Sequence, residues 1–514
     1  MPPVLPPRRS AIVGGVMLGM FLAAMESTAV STAMPTVIAS LGGLRVYSWV
    51  FSAYLLTSTV AMPLWGKCSD LYGRRPVYLW GLGIFLAGSA LSGLAQSMPQ
   101  LILFRALQGL GAGALLPLGL TIVGDLFGLE QRARMQGYFS ATWAVASVVG
   151  PLIGGVLTDH LSWRWVFYAN LPPGLLAGGV LAWALRPPAR RQERVSLDLR
   201  GAGAFAAGMT LLLAALVEAG RSGAGPGPGH LAMLAGAGGL LVLFVEWERR
   251  ADEPFLPLRL FATRIFRAAA ASGFLAGMAM FGALSFIPLF VQGVLGGSAT
   301  EAGRVLTPFV LGWVALSVTS ARLLLRVGYR RLVLTGMGCL ALAFYLFTRM
   351  GVETTLLELL RNMLLGGMGM GLVMLPLLIA VQSAVPRRDL GAATSATTFF
   401  RATGGAVGVA LMGAVLARGL HAELAALGGA AAGPSAGALL ELVRHPDAFI
   451  HPATRLALPP ALLEAFSLGL AAALRSVFWV GLGVALVALA SAFLVPSGRA
   501  QELALEEERA SPSR

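Results

Sequence analysis

Charge is what this chain has least of. Only 12% of its 514 residues are Asp, Glu, Lys or Arg, about half the share of a soluble globular domain. With 56% hydrophobic residues and a mean hydropathy of +0.76, that scarcity excludes a water-soluble fold. Cysteine is nearly missing as well. Cys68 and Cys339 lack C-x-x-C spacing, so neither a disulfide nor a thiolate metal site is expected. The five histidines, His160, His230, His421, His445 and His451, have no metal-ligand spacing and read as solvated loop residues. Lysine is reduced to Lys67. No phosphate-binding loop or nucleophile elbow is present, so no cofactor, metal or enzyme chemistry is expected. The net charge of +14 invites a nucleic-acid partner, but the arginines stand singly or in small groups between apolar runs. A positive-inside pattern explains them better.

What is present is a series of apolar runs. A hydrocarbon core of about 30 Å needs about 20 apolar residues per helix. Backbone in lipid must be satisfied within the segment, and these runs are too long for barrel strands. The chain therefore reads as an all-α integral membrane protein of fourteen spans: 11–35, 47–65, 77–97, 101–124, 136–158, 165–186, 201–219, 231–248, 267–291, 303–325, 332–350, 359–382, 393–417 and 474–495. The first run resembles a signal peptide but continues to about Ile38 and contains Glu26, so it reads as a retained helix. An even count puts both termini on one side. Most arginines, from Arg8 and Arg9 to Arg387 and Arg388, fall on that side, which makes it cytoplasmic.

Residues 187–200 and 249–266 read as cytoplasmic joints around an inserted pair of spans. The chain then divides into a first six-span bundle, 1–186, an insert, 187–266, a second bundle, 267–496, and a polar tail, 497–514. Within the second bundle, the outside segment 418–473 holds two stretches, 436–443 and 459–473, that suit short amphipathic surface helices. A weak repeat supports two halves. ARLLLRVGYRRL, 321–332, follows span 10 as GKCSDLYGRRPV follows span 2. Gly328 matches Gly73 and Arg330 matches Arg75, while Leu325 stands where Asp70 would be. Transporters are often built from such repeats.

The stretch Gly66–Arg75, GKCSDLYGRR, reads as a charged turn between spans 2 and 3. Gly66 and Gly73 permit a tight reversal. Asp70 can accept from free N–H groups at a helix start, and Arg74 and Arg75 can pair with carboxylates or lipid phosphates. Asp125 ends span 4 on the same side, where it can pair with Arg74. Glu26 lies in the middle of span 1. An ionised carboxylate there costs about 3 kcal/mol or more, so it must face a cavity, pair with a base or stay protonated. Such a group can carry a proton, or it can be a structural acid held by Ser27, Thr28 or Ser31. Arg105, with Gln108 a turn away, needs polar partners, or else reaches the interface along its aliphatic stem. Gly109, Gly111 and Gly113 let another helix come close. Span 5 holds Gly150, Pro151, Gly154 and Gly155, a G-x-x-x-G contact with a kink. Arg401 in span 13 can neutralise a carboxylate, bind lipid headgroups or line a cavity. Met278, Phe281 and Phe286 of span 9, with Met370 and Met374 of span 12, suit a permissive apolar pocket or ordinary packing.

Taken together, GKCSDLYGRR, RALQG at 105–109, GPLIGG at 150–155, SWRWVFYANLPPG at 162–174 and RRDLGAATSATTFFRATGGAVGVALMG at 387–413 resemble the fourteen-span drug:proton antiporters of the major facilitator superfamily. The resemblance implies two six-helix bundles that rock about a central site, with two further helices between them. It implies that Asp70, seated at the inner start of span 13, stabilises the outward-open form, and that Arg74 pairs with Asp125. The family's first-span acid is usually Asp; here Glu26 takes that place, and Leu71 stands where a basic residue is common. The expected function is proton-coupled export of amphipathic small molecules, cationic or neutral, across the cytoplasmic membrane. Glu26 and Arg105 are the expected proton-coupling residues. Gln108, Met278, Phe281, Phe286, Met370, Met374 and Arg401 are the candidate cavity, and the chain is expected to act as a monomer among lipids. Export of a lipid, peptide or metabolite, or a non-transporting sensor, are the alternatives.

Overall fold

The computed structural model describes residues 7–126, 129–185, 198–221, 228–251, 254, 256, 258–385, 390–430 and 460–496. Among them no strand is present. The helices are α1 Pro7–Leu41, α2 Tyr47–Tyr72, α3 Arg74–Leu94, α4 Met98–Leu126, α5 Leu129–His160, α6 Arg164–Tyr168, α7 Leu171–Ala184, α8 Leu199–Arg221 and α9 Pro228–Arg250. They continue with α10 Arg264–Leu289, α11 Ala299–Val327, α12 Tyr329–Thr348, α13 Leu356–Ser383, α14 Leu390–Ala430 and α15 Pro460–Ala492. Thirteen segments among the described residues are long and apolar enough to cross a membrane, with α6 and α7 counting as one. The difference from fourteen is α2. Its hydroxyls at Ser48, Ser52, Thr57, Ser58 and Thr59 lower its hydropathy, but its 26 residues reach about 39 Å at the usual helical rise.

In the first half α1 packs on α5 and α7, and α4 on α2 and α3. In the second, α10 packs on α14, α11 on α13, and α12 on α13 and α15. The pair α8 and α9 pack on each other, with α8 also against α14 and α2. Small residues set the spacing. Gly109 and Gly113 face the α2 backbone at Tyr54 and Ser58, and Gly111 faces α3 at Phe85. Gly150 and Gly154 of α5 rest on Met25, Thr28, Ala29 and Thr32 of α1. These contacts leave no room for a side chain, so they fix the two helices that carry the acid and the arginine.

Three expectations are corrected. Gly66–Arg75 is not a turn: α2 runs on to Tyr72 and α3 starts at Arg74, so Gly66 is helical and Gly73 alone reverses the chain. Its φ of +89 lies where only glycine is at ease. Gly328 does the same between α11 and α12 with φ +83. The repeat seen in the sequence is therefore a repeat in backbone. Second, 459–473 is not a separate surface helix but largely the first part of the 33-residue α15, and α14 extends beyond 417 to Ala430. The stretch 436–443 lies outside the described residues. Third, span 6 is broken into α6 and α7. Pro172 and Pro173 cannot donate to the carbonyls of the preceding turn and instead sit in the first turn of α7, where proline is at ease.

The halves meet at the face opposite the chain termini. Tyr47 donates to the Ser285 carbonyl. Ser52 Oγ donates to the Ala406 carbonyl at 3.1 Å, and Gln292 Nε2 to the Thr32 carbonyl at 2.9 Å. Asp159, at the end of α5, accepts from the backbone N–H groups of Ala299 at 3.1 Å and Thr300 at 2.8 Å. Those are first-turn donors of α11, which have no partner within their own helix. Ser298 and Glu301 satisfy the rest of that turn by a capping box. Gly155 and Gly303 make the same seam backbone-close. Replacing Asp159 by Ala removes a charged cap that spans both halves, worth about 1 kcal/mol at an exposed helix start. Spin labels at Leu161 and Arg304, both exposed, should show the ratio of short- to long-distance populations fall roughly fivefold. An unchanged distance distribution would contradict a role for Asp159 in closing this face.

A buried ion pair as the candidate site

Glu26 and Arg105 form a direct ion pair, Nη1 to Oε1 at 2.5 Å, with side chains 0% and 1% exposed. Arg105 does not reach the interface along its stem, because its guanidinium is locked from several sides. The same Nη1 donates to Gln108 Oε1 at 2.6 Å, Nε reaches the Val50 carbonyl at 3.5 Å, and the guanidinium carbon stands 4.1 Å from the centroid of the Tyr54 ring. A guanidinium over an aromatic face gains further when desolvated. The second carboxylate oxygen of Glu26 accepts from Asn170 Nδ2 at 2.5 Å. Asn170 Nδ2 also meets Ser89 Oγ at 3.0 Å, and Ser89 donates to the Phe167 carbonyl at 2.8 Å.

Asn170, Ser89 and Tyr54 were not singled out from sequence. The signal for Asn170 was the Pro-Pro pair two residues on. The break it causes places Asn170 at the start of α7, fully buried, where its amide turns into the bundle. Irregular backbone at membrane depth is tolerated where protein surrounds it, and Ser89 caps one carbonyl at the break. Thr28 and Ser31 do not hold the acid: their hydroxyls donate to the Met25 and Thr28 carbonyls of their own helix.

The arrangement has two chemical states. With Glu26 ionised, the pair is neutral overall, as a buried charge requires. With Glu26 protonated, Arg105 keeps Gln108, the Val50 carbonyl and Tyr54. Two buried atoms beside the pair, Asn170 Oδ1 and Gln108 Nε2, have no hydrogen-bond partner.

A model of the Major Facilitator Superfamily matches residues 16–409. The chain belongs to this superfamily. It is 41% identical over 410 residues to the multidrug transporter protein MdtP of Bacillus subtilis (strain 168), covering 80% of this chain and 75% of that one. It is 33% identical over 473 residues to multidrug resistance protein 3 of the same organism, covering 92% of each. In fold it matches a bacterial homologue of the human lysosomal transporter Spinster, with TM-score 0.67, 17% identity and coverage of 98% and 99%. It is a multi-pass membrane transporter of that superfamily, and its named relatives are multidrug transporters.

The other expected site residues separate. Gln108 joins the Glu26 pair. Phe286 is fully buried on the Tyr47 ring, centroids 5.6 Å apart. Met278 packs beneath Gly408 and Phe281 beneath Gly405, and Met370 is fully buried in α13. Arg401 and Met374 meet each other, Nη1 to Sδ at 3.7 Å. At the termini face Arg74 Nη1 donates to Ser69 Oγ at 2.5 Å, and Arg75 is partly exposed. The side chains of Asp70 and Asp125 lie outside the described residues, so the contacts expected of them do too.

Removing one partner of a buried pair leaves an uncompensated charge, at a cost of about 3–5 kcal/mol. Glu26→Leu alone should lower thermal stability in nanodiscs by that order. The double variant Glu26→Leu, Arg105→Met should recover most of it. If the double variant is no more stable than the single, the pair is not the coupled unit described.

Proposed function

We propose that the chain exports amphipathic small molecules from the cell in exchange for protons, by alternating access, with both termini cytoplasmic. The observation that carries this reading is the Glu26–Arg105 pair. It is the single acid–base ion pair buried at membrane depth among the described residues, in a sequence with no phosphate-binding loop motif. Proton entry neutralises Glu26 and frees Arg105 from its carboxylate, and proton loss restores the pair. Each protonation state suits a different arrangement of α1 against α4 and α7, so the proton biases which face is open. A ligand or proton shifts such an equilibrium only through its different affinity for the two states.

The multidrug names of the relatives support export of drug-like cargo as the direction. We assign the moving bodies to 1–186 and 267–496, with 187–266 as an accessory pair, and take the monomer as the working unit. In this reading the closed seam at Asp159 is the outer gate. Gly66, Asp70, Gly73, Arg74, Arg75 and Asp125 form the inner latch that must close when the outer gate opens.

In proteoliposomes loaded with ethidium, an imposed proton gradient should drive transport by the wild type. Glu26→Gln should keep exchange of labelled for unlabelled dye at equal pH while losing at least about tenfold of gradient-driven transport. A conservative loss of a proton-transfer group typically costs a hundredfold or more. Gradient-driven transport by Glu26→Gln at the wild-type rate would exclude proton coupling through this residue.

A further inference from the structure

Among the described residues, the second half of the membrane interior holds a cation with no counter-charge. Arg401 is partly exposed on α14, 11 residues from the helix start and so about 16 Å deep from the termini face. Its guanidinium has five N–H donors and cannot lose its charge. The described contact it makes is to Met374 Sδ of α13 at 3.7 Å, a weak acceptor without charge. No carboxylate lies within ion-pair distance of it among the described residues. Among the described side chains, the charged groups on the helices packed against α14 stand toward helix ends, Arg264 and Arg267 on α10, Glu358 and Arg361 on α13, Glu464 on α15, Arg200 and Glu218 on α8, while Arg475, midway along α15, is exposed and reaches Gly351 between α12 and α13. In the first half Arg105 and Glu26 cancel. Arg401 is therefore a cation at membrane depth without a counter-charge among the described residues.

Its surroundings fit an amphipathic partner. Thr394, Thr397 and Thr398 are partly exposed one to two turns below on the same helix, and Gln382 donates to Thr394 Oγ1 at 3.0 Å, so the approach from the termini face is polar. On other faces of the same helix Phe399 packs on Phe205 of α8 and Phe400 on Phe261 and Phe266, which fixes α14 and so the position of Arg401. Met374 is a soft, adaptable contact. An unpaired guanidinium at this depth is costly unless a group of opposite charge visits it. Arg binds planar anions in a two-pronged geometry that Lys cannot copy.

We propose that Arg401 is the anion-recognition residue of the cargo site, so that carboxylate- or phosphate-bearing amphiphiles bind better than purely cationic ones. This rests on the transport reading above and changes the expected cargo from cationic or neutral to anionic or zwitterionic. The same chemistry could be met by a lipid headgroup phosphate, and the test separates the two.

The probes are rhodamine B, which carries a carboxylate, and its ethyl ester, which does not. Binding is read by fluorescence anisotropy on full-length protein in phosphatidylcholine nanodiscs, independently of any transport. The wild type should favour the carboxylate dye by about tenfold, the scale of one charge-assisted contact. Arg401→Gln should lose the preference and bind the two dyes alike, and Arg401→Lys should keep a reduced preference. The Lys variant keeps the proposal testable if the Gln variant fails to fold. Equal binding of both dyes by the wild type, or an undiminished preference in Arg401→Gln, overturns the proposal. If added phosphatidylglycerol displaces the carboxylate dye from the wild type, Arg401 holds a lipid headgroup and the cargo assignment is wrong. Binding that follows the expected pattern without gradient-driven transport of either dye would instead sink the antiport reading and leave Arg401's role intact.

Discussion

A charge buried in a membrane protein must be answered, and here Glu26 is answered by Arg105. The cost of an isolated ion at that depth is large, so the neighbouring helices are arranged to make one neutral unit in which both carboxylate oxygens are hydrogen-bonded. Gly109, Gly111 and Gly113 bring α4 against α2 and α3 so that Arg105 reaches both the Val50 carbonyl and the Tyr54 ring. Gly150 and Gly154 hold α5 on α1 near Glu26. The break at Pro172 brings Asn170 to the second carboxylate oxygen. These helices thus converge on one buried carboxylate.

The two halves of the molecule divide the work. The first half carries the pair and is electrically balanced inside. The second carries Arg401, with no described carboxylate within ion-pair distance of it. A symmetric backbone, visible in the matching glycine reversals at Gly73 and Gly328, has been given asymmetric chemistry: the acid of the first copy, Asp70, is Leu325 in the second. The halves are held at one face by neutral hydrogen bonds and one exposed carboxylate, contacts weak enough to exchange during a transport cycle.

Much of this was legible in the sequence. Apolar runs gave the helices, because lipid leaves the backbone few alternatives. A lone Glu and a lone Arg in such runs had to find each other or find water, so both were visible as candidates. The repeat was visible because a glycine reversal needs a glycine. What could not be read were partners set by three-dimensional packing. Asn170 looks like a loop residue until the Pro-Pro break is placed inside the bundle, and Ser89 looks like any small helix residue. The helical state of Gly66–Tyr72 was missed because charge was taken as a sign of a turn, although a helix satisfies its backbone equally well outside the lipid. The methionines and phenylalanines of α10 and α13 could not be sorted between packing and cavity, since both uses want the same side chains.

The central claim is that Glu26 changes protonation as cargo binds. Infrared difference spectroscopy of the protein in nanodiscs, recorded with and without bound dye at fixed pH, reads this directly through the carboxylic C=O stretch. The account predicts a cargo-dependent band that is absent in Glu26→Gln. A cargo-induced spectrum that Glu26→Gln leaves unchanged would contradict it.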